Sequence, residues 1–169
     1  MEMSGSQRIE APREKVWEAL NDPDVLKKSI PGCQEIQKAS PTDMSAKVVL
    51  KIGPIKATFM GKVTLSDLDP PNGYTISGEG QGGVAGFAKG GAKVRLEPIE
   101  GNGATMLHYD VTADVGGKIA QLGARLIDGT AKKLATEFFE TFGSVVAPSA
   151  APASEAEPEK KGWFGLKKS

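Results

Sequence analysis

The sequence predicts an α+β domain in which a curved antiparallel sheet covers one long C-terminal helix. Three observations lead to this fold class. Apolar and polar residues alternate through several short segments, two short helical segments precede most of them, and a long amphipathic pattern follows them. Strands joined by short turns pair antiparallel, and only a sheet is wide enough to cover the long helix, so we expect a two-layer domain.

Two short helices are predicted after a first strand. Pro12 suits the first position of a helix, and the run Asn21-Asp22-Pro23 stops it. A shorter helix from Asp24 to about Ser29 follows, and Pro31-Gly32 closes it.

About six antiparallel strands are predicted between the short helices and the long one. Their side chains alternate between apolar and polar, the two-residue period of a strand with one buried face. Turn signals such as Gly53-Pro54 and Asn102-Gly103 separate them. The clearest alternation covers residues 44–52, 55–65, 74–80, 88–96 and 107–115.

The last helix is predicted from about Lys118 to Val146, a length of roughly 40 Å at 1.5 Å per residue. Apolar residues recur on one face of it at helical spacing, which requires a wide apolar partner. These residues are Ile119, Leu122, Leu126, Ile127, Ala131, Leu134, Phe138, Phe142 and Val145. We therefore take residues 1–146 as one domain.

The remaining chain divides into a linker and a tail. Residues 147–159 contain mainly Ala, Pro, Ser and Glu, so they lack the apolar side chains needed to offset ordering entropy and are expected to be disordered. Residues 160–169 combine large apolar side chains with lysines, a composition that favours reversible contact with an anionic membrane surface. The residues expected to make that contact are Lys160, Lys161, Trp163, Phe164, Leu166, Lys167 and Lys168. A solubilising tail or a peptide that docks on a protein partner are the alternatives.

Composition excludes several classes of protein. The 21 basic and 21 acidic side chains give a net charge of +0, so no overall field attracts nucleic acid. The single Cys33 excludes an intramolecular disulfide and fits a reducing, cytoplasmic compartment. No secretory signal and no apolar run long enough to span a membrane is visible.

No motif indicates catalysis or metal binding. Residues 78–83 match G-x-G-x-x-G, but the glycine-rich sequence after them cannot form the helix that a dinucleotide site needs. His108 and Cys33 are the only residues of their types and lie far apart, so a zinc site or an activated nucleophile lacks its parts. His108 is expected to be exposed or hydrogen-bonded, and the protein is predicted not to be an enzyme.

The glycines are concentrated in a part of the sheet where a cavity could form. Eight of the 21 glycines fall between Gly73 and Gly91, within segments that otherwise read as strands. Small residues also recur on the faces expected to point inward: Ala46, Ala57, Gly61, Gly78, Gly80, Ala92 and Ala113. Either the sheet bends tightly onto the helix and the core is filled, or a space remains for an apolar guest.

Several segments resemble those of one known family. They are residues 9–17 (Ile-Glu-Ala-Pro-Arg-Glu-Lys-Val-Trp), Asp22-Pro23, Ile30-Pro31-Gly32-Cys33, the glycine-rich residues 82–86 and residues 116–123, followed by Arg125-Leu126-Ile127. Through them residues 1–146 resemble the carbon monoxide dehydrogenase CoxG family of the START-like (SRPBCC), helix-grip superfamily. The resemblance implies a seven-stranded antiparallel sheet that grips the C-terminal helix around an apolar ligand cavity.

The resemblance also implies an accessory role that links a molybdenum-containing hydroxylase to the inner face of the cytoplasmic membrane. From that role and the cavity we infer a lipophilic guest, the respiratory quinone menaquinone or ubiquinone, and no metal. The residues expected to line the pocket are Phe59, Gly61, Ile76, Gly80, Phe87, Leu122, Leu126, Thr130 and Leu134. A membrane-recruitment adaptor with a closed core is the alternative function.

Overall fold

The structure, a computed structural model, describes residues 1–147. Its strands are β1 (Glu2–Ile9), β2 (Cys33–Ser40), β3 (Asp43–Ile52), β4 (Ile55–Asp69), β5 (Gly73–Gln81), β6 (Phe87–Ile99) and β7 (Ala104–Gly116). Its α-helices are α1 (Arg13–Leu20), α2 (Pro23–Ser29) and α3 (Ala124–Val146), and short 3-10 turns cover Gly83–Ala85, Glu100–Asn102 and Lys118–Leu122. The predicted linker and tail lie outside the described residues.

All seven strands form one antiparallel sheet in the order β1-β7-β6-β5-β4-β3-β2. Strands β2 to β7 follow one another as a meander, whereas α1 and α2 carry the chain from β1 at one edge to β2 at the other. This arrangement confirms the predicted fold class and the seven-stranded sheet that the family resemblance implied. Strand β2 shows no clear alternation in the sequence because most of its side chains are exposed.

The two short helices begin one residue away from where the sequence predicts. Pro12 precedes α1 as its N-cap, and the backbone N–H of Arg13 donates to Oδ1 of Asn102 at 3.1 Å. Pro23 begins α2, where Asp22 accepts a hydrogen bond from the N–H of Asp24 at 2.9 Å. Proline occupies the first position of α2, which leaves no orphan donor there.

The prediction of one continuous helix from Lys118 was wrong. Gly117 and Gly123 adopt φ angles of +80° and +94°, which lie in the left-handed region, and they isolate Lys118–Leu122 as a 3-10 turn. The helix α3 starts at Ala124 and has 23 residues, a length of roughly 35 Å. At its C-terminal end Val146 is buried, and the predicted Val145 is only partly buried.

The packed core lies at one end of the sheet, which we call the base. It joins α1, the C-terminal part of α3 and apolar side chains of the sheet, with Ile9, Val16, Leu96 and Phe142 at its centre. A smaller cluster of Phe59, Ala85 and Ile119 lies at the opposite end. The two clusters share no residue.

Candidate functional site

The floor of a cavity is built from small residues that the strand register brings side by side. Gly61 of β4 pairs with Gly80 of β5, and Gly80 pairs with Ala88 of β6. A Cβ atom placed on Gly80 would have no heavy atom within 4 Å. The sheet therefore presents a low, apolar surface at this point, and α3 cannot fill the space above it.

The roof of the cavity is the middle of α3. Ile127, Thr130, Leu134 and Phe138 face the space, and each is only partly buried although it lies on the inner face of the helix. Thr130 has the only polar side chain among them, and its hydroxyl donates to the carbonyl of Leu126 at 2.9 Å. The roof thus offers apolar surface without a free side-chain donor.

The space divides into two connected lobes. The outer lobe has a volume of about 540 Å³, and the inner lobe has a volume of about 320 Å³ and lies closer to the base. Both volumes are within the range of volumes found for sites that bind small molecules. The lobes share part of their lining, namely Met3, Ile30, Val111, Ala135 and Phe138. The filled-core alternative is therefore wrong for this domain.

The predicted pocket residues fall into three groups. Five line the outer lobe, namely Phe59, Gly61, Gly80, Thr130 and Leu134. Ile76 lines the inner lobe, and Phe87, Leu122 and Leu126 line neither.

Phe87, Leu122 and Leu126 lie elsewhere for physical reasons. Phe87 sits on the outer face of the sheet, where its ring covers the backbone of Gly116 and remains 41% exposed. Leu122 packs against the small cluster around Phe59. Leu126 is 38% exposed, because α3 starts only after Gly123 and its inner face begins at Ile127.

Of the residues that line the inner lobe, the sequence prediction included only Ile76 and missed two tyrosines. Tyr74 and Tyr109 line it, and both stand in the inward register of their strands together with Ile76 and Val111. The alternation of these two strands therefore contains the signal for the inner lobe, whereas the glycines that line the cavity belong only to the outer lobe. Burial raises the pKa of the Tyr74 phenol well above its ordinary value, so the hydroxyl is neutral at physiological pH.

His108 and Cys33 line neither lobe of the cavity. His108 is hydrogen-bonded as predicted, with Nδ1 2.8 Å from the Ser6 hydroxyl and Nε2 2.9 Å from a Glu97 carboxylate oxygen. Burial raises the pKa of the Cys33 thiol. Within the described part of the chain, no three His, Cys, Asp or Glu side chains come together as a metal site.

The end of the domain opposite the base, which we call the mouth end, exposes apolar and basic side chains. It contains the β3–β4 turn and the Gly83–Ala85 and Lys118–Leu122 turns, and the outer lobe lies directly beneath it. Val84 at its tip is 86% exposed. Lys51 and Lys56 face each other across the β3–β4 hairpin, an arrangement of like charges that isolated hairpins disfavour.

A curved antiparallel sheet that grips a C-terminal helix around an apolar cavity defines a START-like domain. Its similarity to a START superfamily protein from Mycobacterium smegmatis agrees with this class: TM-score 0.66, 14% identity, 88% of this chain and 98% of the other covered. The particular family follows from the sequence match. Residues 5–147 match the family described as the CoxG subunit of carbon monoxide dehydrogenase, and the chain belongs to this CoxG family.

Two further solved structures are similar. A conserved protein from Geobacillus kaustophilus has a TM-score of 0.82 and 32% identity, with 88% of this chain and 97% of that chain covered. The Zhui aromatase/cyclase from Streptomyces sp. R1128 shares the fold at a TM-score of 0.61 and 12% identity, covering 93% of this chain and 99% of the other. No curated protein sequence matches the chain significantly. Among residues 1–147 no helix is both long and apolar enough to cross a membrane.

Proposed function

We propose that the protein is a non-enzymatic carrier of a lipophilic molecule, a respiratory quinone such as menaquinone or ubiquinone. The two-lobed apolar cavity is the observation that carries this proposal. Burying apolar surface there supplies about 25 cal/mol for each Å² removed from water. A long isoprenoid chain meets that requirement without specific polar contacts.

The family description supports the choice of partner. The family is described as a subunit of carbon monoxide dehydrogenase, which points to a molybdenum hydroxylase of that kind as the donor of electrons. In this proposal the carrier takes up the quinone at the cytoplasmic membrane, meets the hydroxylase and returns the reduced quinone to the respiratory chain. The protein then works on the inner side of the membrane without spanning it.

The mouth end supports contact with an anionic lipid surface. Exposed Val84 can insert at the headgroup level, and the exposed basic residues Lys51, Lys56, Lys118 and Arg125 lie in or beside the turns and at the helix start at the same end. None of these four basic side chains forms a salt bridge within residues 1–147. Each contributes about 1 kcal/mol near an anionic leaflet, and the tail residues 160–169 would add to the same attraction.

Ligand extraction tests the carrier proposal directly. Protein purified without detergent should release a quinone into organic solvent, detected by mass spectrometry, and ligand-free protein should bind added menaquinone or ubiquinone. Gly80→Leu should abolish binding because its side chain enters open space in the outer lobe. Gly129→Leu is the matched control, since Gly129 also faces open space but lies exposed on α3. Failure to extract or to bind any quinone contradicts the proposal.

The alternative function, a membrane-recruitment adaptor, predicts a different result from the carrier for the same variant. An adaptor needs no ligand, so Gly80→Leu would leave electron transfer from hydroxylase to membranes intact. The carrier requires that this variant lose the transfer while Gly129→Leu retains it. Oxygen consumption by membranes supplied with the hydroxylase, its substrate and each variant measures the difference.

A further inference from the structure

The two lobes of the cavity differ in the polar groups that they offer to a ligand. In the outer lobe Thr130 has already donated its hydroxyl hydrogen to the carbonyl of Leu126. The inner lobe is lined by two tyrosines, Tyr74 and Tyr109, among apolar side chains. Ser45 also borders the inner lobe, but it belongs to the exposed register of β3. Free side-chain donors are therefore concentrated in the inner lobe.

Tyr74 is the buried member of the tyrosine pair. Its side chain is 7% exposed, and its ring lies edge-on to Trp17 with ring centroids 5.3 Å apart. Burial is the only influence that shifts the pKa of its phenol, and its hydroxyl makes no hydrogen bond with any residue of 1–147. The Tyr74 oxygen is not among the fully enclosed unpaired polar atoms of residues 1–147, so it keeps accessible surface, and its side chain lines the inner lobe. A ligand oxygen at hydrogen-bonding distance there would accept a hydrogen bond from this hydroxyl.

Tyr109 is held differently. Its ring stacks on Phe139 of α3 with centroids 5.5 Å apart, and it lies over Gly5, its cross-strand neighbour in β1. The hydroxyl therefore sits between the edge strand and the helix, away from the centre of the sheet. Tyr109 supplies an aromatic wall for the inner lobe, and Tyr74 is the more deeply buried of the two donors.

We propose that the inner lobe is a head-group subsite in which the Tyr74 hydroxyl donates a hydrogen bond to a carbonyl oxygen of the ligand ring. The ligand then lies head-first, with its ring in the inner lobe and its apolar chain along the outer lobe toward the mouth end. This orientation rests on the proposed carrier function and adds the recognition of a carbonyl-bearing ring to it. It also encloses the ring away from bulk water while the chain occupies the apolar outer lobe.

A pair of matched probes isolates the hydrogen bond. The probe 2,3-dimethyl-1,4-naphthoquinone carries the carbonyl oxygens and has no free ring position for the Cys33 thiol to attack, and 2,3-dimethylnaphthalene has the same rings without oxygens. Calorimetric titration of the full chain should show that Tyr74→Phe weakens quinone binding about fivefold, the value of one neutral hydrogen bond. The same variant should change the affinity for the hydrocarbon by less than about twofold, because the ring of Phe conserves the apolar contacts.

Stability of the ligand-free protein provides a second readout. Because the Tyr74 hydroxyl makes no hydrogen bond within residues 1–147, Tyr74→Phe removes no stabilising contact there, and its midpoint of thermal unfolding should equal or exceed that of the wild type. A lower midpoint together with equal losses for both probes would assign Tyr74 a purely structural role and overturn the inference.

Other results would distinguish a failure of the head-group subsite from a failure of the carrier function. If both probes bind and Tyr74→Phe leaves the quinone affinity unchanged, the inference is overturned and the carrier function stands. A loss of quinone affinity in Thr130→Val but not in Tyr74→Phe would place the ring in the outer lobe and overturn it as well. If the wild type binds neither probe and no quinone is extracted, the carrier function itself is overturned and the subsite with it.

Discussion

The base and the cavity region use the same helix and the same sheet with opposite results. At the base Phe142 is 0% exposed and packs into the central cluster, whereas Leu134, two turns earlier on α3, borders empty space. The difference comes from the sheet. Large side chains such as Ile9 and Leu96 belong to the same packed cluster as Phe142 at the base, and Gly61 and Gly80 line the cavity beneath α3. The bulk of the strand residues therefore decides whether a helix packs or leaves a binding site.

The largest expected effect is at the base. Phe142→Ala should lower the free energy of unfolding by about 3–5 kcal/mol, because it removes a fully buried ring from close packing. Leu134→Ala should cost less, about 1 kcal/mol, because Leu134 already borders a cavity and loses fewer contacts. Urea unfolding of both variants measures the two losses. Equal losses would mean that the cavity region is packed as tightly as the base.

Gly80 and Gly90 lie on the same face of the sheet but differ in the space around them. A Cβ at Gly90 would overlap the carbonyl oxygen of Thr112, so Gly90→Ala should destabilise the protein by about 1–3 kcal/mol. A Cβ at Gly80 meets open space, so Gly80→Ala should be neutral or stabilise by about 0.5 kcal/mol. Thermal unfolding of the pair tests this. A comparable loss at Gly80 would show that the cavity floor has no spare volume.

The surfaces at the two ends should also differ in lipid binding. Val84→Asp at the mouth end should weaken binding to anionic vesicles about tenfold, because a buried Val contributes about 1.5 kcal/mol. Leu68→Asp is the matched control, since Leu68 is an exposed apolar residue near the base end of β4. Equal flotation of the two variants would remove the mouth end as the lipid-binding surface.

The contribution of residues 160–169 to lipid binding can be measured separately. A chain that ends at Ser154 lacks the lysines and aromatic residues of 160–169. If the tail contacts the membrane, this chain should float less than the full chain with anionic vesicles and equally little with neutral ones. Equal flotation of both chains with anionic vesicles contradicts the prediction made for the tail.

The smallest expected effect is a pH dependence at the base. A hydrogen bond at 2.9 Å from the Asn102 amide lowers the pKa of the Glu14 carboxyl. A carboxyl whose folded-state pKa is lowered stabilises the fold above its ordinary pKa near 4.5, and that stabilisation disappears as the pH falls through the lowered value. The midpoint of thermal unfolding should therefore fall slightly more between pH 6 and pH 3 in the wild type than in Glu14→Gln. An identical fall in both proteins would contradict this assignment.

Much of the fold followed from local patterns because those patterns reflect local physics. Alternation over residues 44–52 and 55–65 reports which side of a strand is buried, and Gly53-Pro54 cannot continue either strand. The same parity correctly placed Gly61, Gly80 and Ile76 on the inner face. The alternation did not predict the position of Phe87, because the glycine-rich segment before it interrupts the two-residue period.

Local sequence patterns were enough to predict the class of fold, the order of its elements and the small residues of the sheet. Contacts between the elements establish what those residues form together. Strand register set Gly61 beside Gly80 and Ala88. The left-handed backbone at Gly123 delays the start of α3, and Leu126 lies against the β3–β4 turn instead of lining the cavity. Packing of Trp17 against Tyr74 buried the tyrosine side chain, whose hydroxyl makes no hydrogen bond within residues 1–147. Register, helix start and side-chain burial depend on contacts between residues distant in the chain, and periodicity within one segment carries no information about them.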